Sequence, residues 1–261
     1  MINQSKIPQI SEQIYKNDTL SVLENTYSMI GTHWVNHQLE WMNGVYAAFK
    51  DHDKFLIIIY LTKKTLDFYS RNFTRLSYDQ FYSKDTFEIE KFNIAEISEN
   101  LNKPKESVRR KILELEKKGV IKKFKKKIII DRSAFPFIKP NKSIVRMSRF
   151  LSILSEMLVK QKIIQKKMSS ENLEETIKQN FTYVWKIYYE LQIPMLLKYN
   201  EVFEDLETFH IFGSCVVNQH LSQIYLTGKI DRIKFLSSHL LDINVRGLNA
   251  MSISDITGIP R

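Results

Sequence analysis

The chain has 261 residues, of which 43% are hydrophobic, enough for two domains of ordinary size and a sizeable core. Seven Gly and six Pro argue against a turn-rich all-β fold and against long disordered tracts, and the one cysteine, Cys215, excludes an intramolecular disulfide and a cysteine-rich zinc site. The net charge of +10 is concentrated: residues 86–142 carry 16 Lys+Arg against 8 Asp+Glu, residues 1–85 carry 9 of each, and residues 143–261 carry 14 against 12. A local field of that kind suits a polyanionic partner, although a solvated lysine-rich face would produce it too.

Met1 to Gln13 is polar, without the apolar stretch of a signal peptide. The longest apolar runs, Val45–Phe49 and Phe55–Leu61, fall far short of the ~20 residues that cross a bilayer. A cytoplasmic protein away from membranes is the expectation. From Thr19 to Phe49 apolar residues recur in steps of three and four (Leu20, Leu23, Tyr27, Ile30, Trp34), which predicts helix, with Asn17 or Asp18 as its cap. Asp51-His52-Asp53 breaks that pattern, and Phe55 to Tyr69 predicts a second helix, apolar nearly all round and therefore buried.

The character changes at residue 86. Phe87 and Ile89 alternate with Glu88 and Glu90, a short strand. Asn93 can cap a helix from Ile94 to Leu101, and Asn102-Lys103-Pro104 is a turn, since Pro104 disfavours helix at Lys103 and suits a helix's first turn. The next helix, Lys105 to Lys118, has an inward face of Val108, Ile112 and Leu115 and ends at Gly119. Val120–Lys123 and Lys126–Asp131 then predict a tight hairpin with Phe124-Lys125 at its tip. Pro136 and Pro140 mark a linker. Beyond it the pattern predicts helices at Ile144–Lys167, Leu173–Tyr199 with a kink at Pro194, Val202–Leu226, and Ile230–Leu241 after a break at Gly228.

Helix, short turn, helix and basic hairpin is the order of a winged helix-turn-helix. The stretch Pro104-Lys105-Glu106-Ser107-Val108-Arg109-Arg110-Lys111, closing on Leu115-Glu116-Lys117-Lys118-Gly119-Val120-Ile121, resembles the DNA-binding module of bacterial regulators of the multiple-antibiotic-resistance and cyclic-AMP-receptor types. The resemblance covers about 45 residues. It implies a recognition helix whose first residues face base edges in the major groove of double-stranded DNA, here Lys105, Ser107, Arg109 and Arg110, with Lys111 beside them. Lys103 in the turn, and Lys122, Lys123, Lys125, Lys126 and Lys127 in the wing, would hold phosphates.

Near the C-terminus, Ile253-Ser254-Asp255-Ile256-Thr257-Gly258-Ile259-Pro260-Arg261 resembles the first helix and turn of such a module again. Ile253 to Pro260 repeats the spacing of Ile97 to Pro104, Gly258 falls where Asn102 falls, and Arg261 where Lys105 falls. The stretch stops where a second recognition helix would begin, as in a shortened gene. Trp34 lies 60 residues before Ile94 and Trp185 lies 68 before Ile253, and each begins a helical stretch with a second very apolar helix, which suggests an internal duplication. A homodimer or an intramolecular pseudo-dimer would then meet a two-part DNA site.

Other chemistry is poorly supported. His33, His37 and Glu40 share a helix face but do not form the His-Glu-x-x-His zinc pattern. His210, Cys215 and His220 fan around a helix, and Cys215 suits a buried small hydrophobe. Gly213-x-Cys215 lacks the second glycine of a nucleophile elbow, and no Gly-rich phosphate loop is present. Neither catalysis, a metal nor a cofactor is expected. Trp34, Trp41, Trp185, Tyr188 and Tyr189 suit a core; lining an apolar pocket for a small-molecule effector is the alternative, possible but unsupported by any pattern.

The sequence therefore reads as a mainly α protein: a helical region at 1–85, a winged helix at 86–132, a second helical region at 143–240 and the start of a second helix-turn-helix at 245–261. The expected function is sequence-specific DNA binding in transcriptional control. The alternatives are a replication initiator with two winged helices and a winged-helix protein-interaction module.

Overall fold

A computed structural model describes residues 13–125, 127–134, 139–223, 232–241 and 247–261. Lys126, Pro136 and the break expected at Gly228 lie outside the described residues. Among the described residues the protein is mainly helical, with twelve α-helices and one three-stranded antiparallel sheet.

The helix expected from Thr19 to Phe49 is two, α1 (Lys16–Asn25) and α2 (Tyr27–Phe49). Thr26 separates them: its hydroxyl donates to the Val22 carbonyl at 2.6 Å and its backbone leaves the helical region at φ −121°. The first strongly apolar helix, α3 (His52–Arg71), begins under an Asp51 cap whose Oδ1 accepts from the Lys54 amide at 3.0 Å. A short α4 (Tyr78–Tyr82) follows, closed by a reciprocal Ser77–Gln80 capping box.

Strand β1 (Thr86–Glu88) leads to α5 (Ile94–Asn100), capped by Asn93, whose Oδ1 accepts from the Ala95 amide at 2.9 Å. Then come α6 (Lys105–Lys117), β2 (Ile121–Phe124) and β3 (Lys127–Asp131). The sheet order is β1-β3-β2, with Phe87 and Ile121 flanking Ile130. Phe124 pairs with Lys127, so Phe124 belongs to β2 rather than to the tip expected at Phe124-Lys125, and Lys125 takes a left-handed φ of 57°.

The C-terminal half contains α7 (Asn141–Lys160), α8 (Ser170–Gln179), α9 (Phe181–Phe203), α10 (Leu206–Gln223), α11 (Arg232–Leu241) and α12 (Ala250–Thr257). The helix expected to reach Lys167 ends at Lys160, where the Ile163 amide turns back to the Leu158 carbonyl and Lys162 takes φ 58°. The expected Leu173–Tyr199 helix divides at Asn180, whose side-chain amide donates to the Thr176 carbonyl at 3.1 Å. Pro194 lies within α9, which continues to Phe203.

One core runs through most of these elements. It joins Trp41, Val45 and Phe49 of α2, Phe55 to Leu66 of α3, Ile97, Val108, Ile112 and Leu115 of α5 and α6, and Phe181 to Leu196 of α9. Trp41, Trp185, Tyr188 and Tyr189 are buried there. A smaller cluster of Val22, Ile30, Met157 and Leu158 seals α1 and α2 against α7. No described helix is long and apolar enough to cross a membrane.

Candidate nucleic-acid interface

Helix α6 has three sides. Val108, Ile112 and Leu115, at i, i+4 and i+7, are buried in the core and set its inward face. A second side leans on the start of α3. There Lys111 Nζ meets Asp51 Oδ2, and Glu114 meets Lys54, which holds the Glu114 carboxyl below its ordinary range. Half-buried Ser107 lies one turn before Lys111 on this side. The third side faces solvent and presents Glu106, Arg109, Arg110, Leu113 and Lys117, with Lys105 at its head.

The turn into α6 is equally well fixed. Asn102 takes φ 48°, and the Ser98 hydroxyl donates to the Lys103 carbonyl at 2.6 Å. Lys103 Nζ lies 2.8 Å from Asp53 Oδ1 and 2.7 Å from Asn200 Oδ1. The side chains of Lys103 and Lys111 are 16% and 18% exposed, so both turn inward to carboxylates.

Helix α3 is the platform for the rest of the segment. Lys64 Nζ is 2.5 Å from Glu96 Oε1 in α5, which lowers the Glu96 pKa, and the Tyr60 hydroxyl donates to the same oxygen at 3.3 Å. Burial and that carboxylate push the Tyr60 phenol up to about 12. The Thr65 hydroxyl donates to the Glu88 carbonyl at 2.9 Å, anchoring β1.

The hairpin base is braced by two cations. Lys122 Nζ sits 2.5 Å from the buried Asp131 carboxylate and holds its pKa down, with Ser133 donating to the other oxygen. Arg132 packs over the rings of Phe81, Tyr82 and Phe87 and donates to the Phe81 carbonyl at 2.7 Å. Further out, Lys123 pairs with Glu116 at 2.9 Å and Lys127 with Glu88 at 2.8 Å, with both lysines largely in solvent. Exposed pairs of this kind contribute about 0–1 kcal/mol, so they hold the two lysines only weakly. Phe124, the last residue of β2, and Lys125 after it are both exposed.

Of the residues singled out from sequence, Lys105, Arg109 and Arg110 are exposed on α6, and Lys122, Lys123, Lys125 and Lys127 are exposed on the hairpin that follows, where Lys123 reaches back to Glu116 of α6. Among the described residues Lys105, Arg110 and Lys125 make no ion pair, and Arg109 has only a distant contact, 3.8 Å, to Glu106. Lys126 lies outside the described residues. Arg261 is exposed at the far end of the chain, two residues beyond Ile259. Not foreseen from sequence are Lys117 and Lys118, two further exposed cations at the end of α6, and Asp51, Asp53 and Asn200, which hold Lys111 and Lys103. Lys117 and Lys118 were legible as the charged run before Gly119; the positioning groups come from α3 and α9, far along the chain.

The histidines weighed for metal binding have other surroundings. His37 is buried, with Nε2 3.0 Å from the Tyr188 hydroxyl, whereas His33 and Glu40 are exposed. His210 is buried with Nε2 2.8 Å from Asn43 Oδ1, and Cys215 is half-buried. No cluster of three or more metal-binding side chains occurs among the described residues. Comparison with protein-family models, with curated proteins and with solved structures finds no match.

Proposed function

We propose that residues 86–132 form a winged helix-turn-helix that binds double-stranded DNA, and that the protein is a sequence-specific transcriptional regulator. The observation that carries this reading is the sorting of the cations on α6 and in the turn before it. Lys103 and Lys111 are spent on fixing the helix to α3 and α9, while Lys105, Arg109 and Arg110 stand on its open side. Such a helix is held rigidly by one edge and offers another of a width suited to the major groove. Arg109 and Arg110 can each grip guanine with two hydrogen bonds, and the 54% exposed Leu113 suits contact with a thymine methyl. The lysines of the hairpin suit the flanking phosphates.

The test is fluorescence anisotropy with pooled genomic duplexes at 50 and 200 mM salt. The unmodified chain should bind and lose affinity steeply with salt, by ~0.9 logarithmic units per decade for each phosphate engaged. Changing Lys122, Lys123, Lys125, Lys126 and Lys127 to Glu should abolish binding. Tight binding unaffected by those changes would exclude the hairpin, and no binding at low salt would overturn the DNA reading.

A further inference from the structure

Two stretches of the chain repeat one design. Helices α2 and α9 are both 23 residues long. Each ends on phenylalanine, Phe49 or Phe203, and the next residue takes a positive φ, Lys50 at 51° or Glu204 at 68°. An aspartate then caps the following helix: Asp51 Oδ1 accepts from the Lys54 amide at 3.0 Å, and Asp205 Oδ1 from the Thr208 amide at 2.6 Å. Phe55 and Phe209 follow at the same spacing, 154 positions apart. In this register Trp34 corresponds to Tyr188 rather than to Trp185, a shift of three from the pairing suggested by sequence.

The turn segments match as well, 156 positions apart. Asn93 and Asn249 both cap, the latter accepting from the Ser252 amide at 2.8 Å. Asn102 and Gly258 are both left-handed, at φ 48° and 71°, and Pro104 and Pro260 follow two residues on.

The halves exchange partners. Helix α10 lies antiparallel on α2, with His210 on Asn43 at one end and the His220 ring against Tyr27 at the other. Helix α3 lies antiparallel on α9, with Asp53 and Asn200 sharing Lys103 at one end and Leu66, Thr182 and Tyr183 lining one cavity of about 380 Å³ at the other. The starts of α3 and α10 meet, His52 Nδ1 lying 3.0 Å from Glu207 Oε1. This swap corresponds to a pseudo-two-fold axis along the helices. Both turns rest on the same end: Lys103 on Asn200, and Gly258 beside Tyr46 and Lys50, to which a Cβ would approach within 3.9 Å. Tyr46 and Asn200 are themselves corresponding positions, 154 apart.

We infer that the chain is an intramolecular pseudo-dimer whose second DNA-contacting point is the turn Thr257–Arg261, so that one chain takes a two-part duplex site. The inference rests on the DNA-binding reading above. Arg261 stands where Lys105 stands and supplies the second cationic contact.

The test selects a duplex from a random-sequence pool with the whole chain, maps it by hydroxyl-radical footprinting and weighs the complex by native mass spectrometry. One chain per duplex should protect two patches about one helical turn, ~34 Å, apart. Arg261→Glu should erase one patch and weaken binding about tenfold, Arg261→Lys should keep both, and Arg109→Glu with Arg110→Glu should erase the other. A single patch indifferent to Arg261→Glu overturns the pseudo-dimer and leaves the first module's reading standing. Two patches that need two chains overturn it in favour of a dimer of chains. Failure of the unmodified chain to retain any duplex overturns both readings.

Discussion

Arg110 and Lys111 are neighbours in sequence and lie on different sides of α6, the first exposed and the second turned to Asp51. A helix turns 100° per residue, so a basic run on α6 is divided between the α3-facing side and the open side. Asp51 and Asp53, at the positive end of α3, favour that end themselves and then draw in Lys111 and Lys103. Salt dependence should therefore separate the cations. Lys125→Ala should lower the salt slope of DNA binding by about 1, because a phosphate contact is lost. Lys111→Ala should leave the slope unchanged and instead reduce stability by about 1 kcal/mol, since Asp51 loses its nearer cation while Lys54 Nζ stays 3.7 Å away. Anisotropy titrations across salt, beside urea denaturation of each variant, check this; an equal drop in slope for both would place Lys111 on the phosphates.

At the scale of elements, local chemistry accounts for α5 and α6 almost completely. Asn93, Pro104 and Gly119 punctuate them, and Val108, Ile112 and Leu115 set the buried face. Gly119 takes φ 75°, a conformation that ordinary side chains resist. Leu115 of α6 is fully buried in the shared core, so Leu115→Ala should cost about 2–5 kcal/mol of stability in urea denaturation and loosen α6 with it. A loss below ~1 kcal/mol would mean that the segment is not packed on α3. Elsewhere periodicity misled. The apolar pattern runs straight through Thr26 and Asn180, where a side chain bonded to the carbonyl four residues back coincides with the break. The capping box at Ser77-Tyr78-Asp79-Gln80 was a readable signal for α4 that the broader apolar pattern obscured.

At the scale of the whole molecule, buried histidines tie the two halves together. His37 joins α2 to α9 through Tyr188, and His210 joins α10 to α2 through Asn43. Burial, and the Arg146 charge after it, press the His37 pKa from 6.5 to about 4; burial, and His52 after it, press His210 to about 3. The unfolded chain takes up these protons near 6.5 and the folded chain does not, so stability falls as pH drops below 6.5 and continues to fall toward 4. Glu207 adds to this in a lower window. The His52 imidazole beside it holds its carboxyl at about 2, so the unfolded carboxyl protonates first, near 4.5, and stability is lost as pH falls from there toward 2. Urea midpoints measured from pH 8 to 4 should be flat above about 7 and fall below 6.5, with a shallower fall in His37→Gln. A flat profile down to pH 5 would show that the histidines take up protons without opening the helix contacts.

What the sequence by itself determined is the mainly helical class, the strand, helices and hairpin of residues 86–131 and the cationic excess there. These depend on cap residues, glycine and proline backbone limits and apolar spacing, all of which act within a few residues. Only the tertiary structure decided which cations face outward, that Lys103 belongs to Asp53 and Asn200, that α3 carries the module and that α3 and α10 exchange partners across the two halves. Those outcomes depend on pairings between residues dozens to more than a hundred positions apart, where burial and charge are settled by whichever helix arrives opposite.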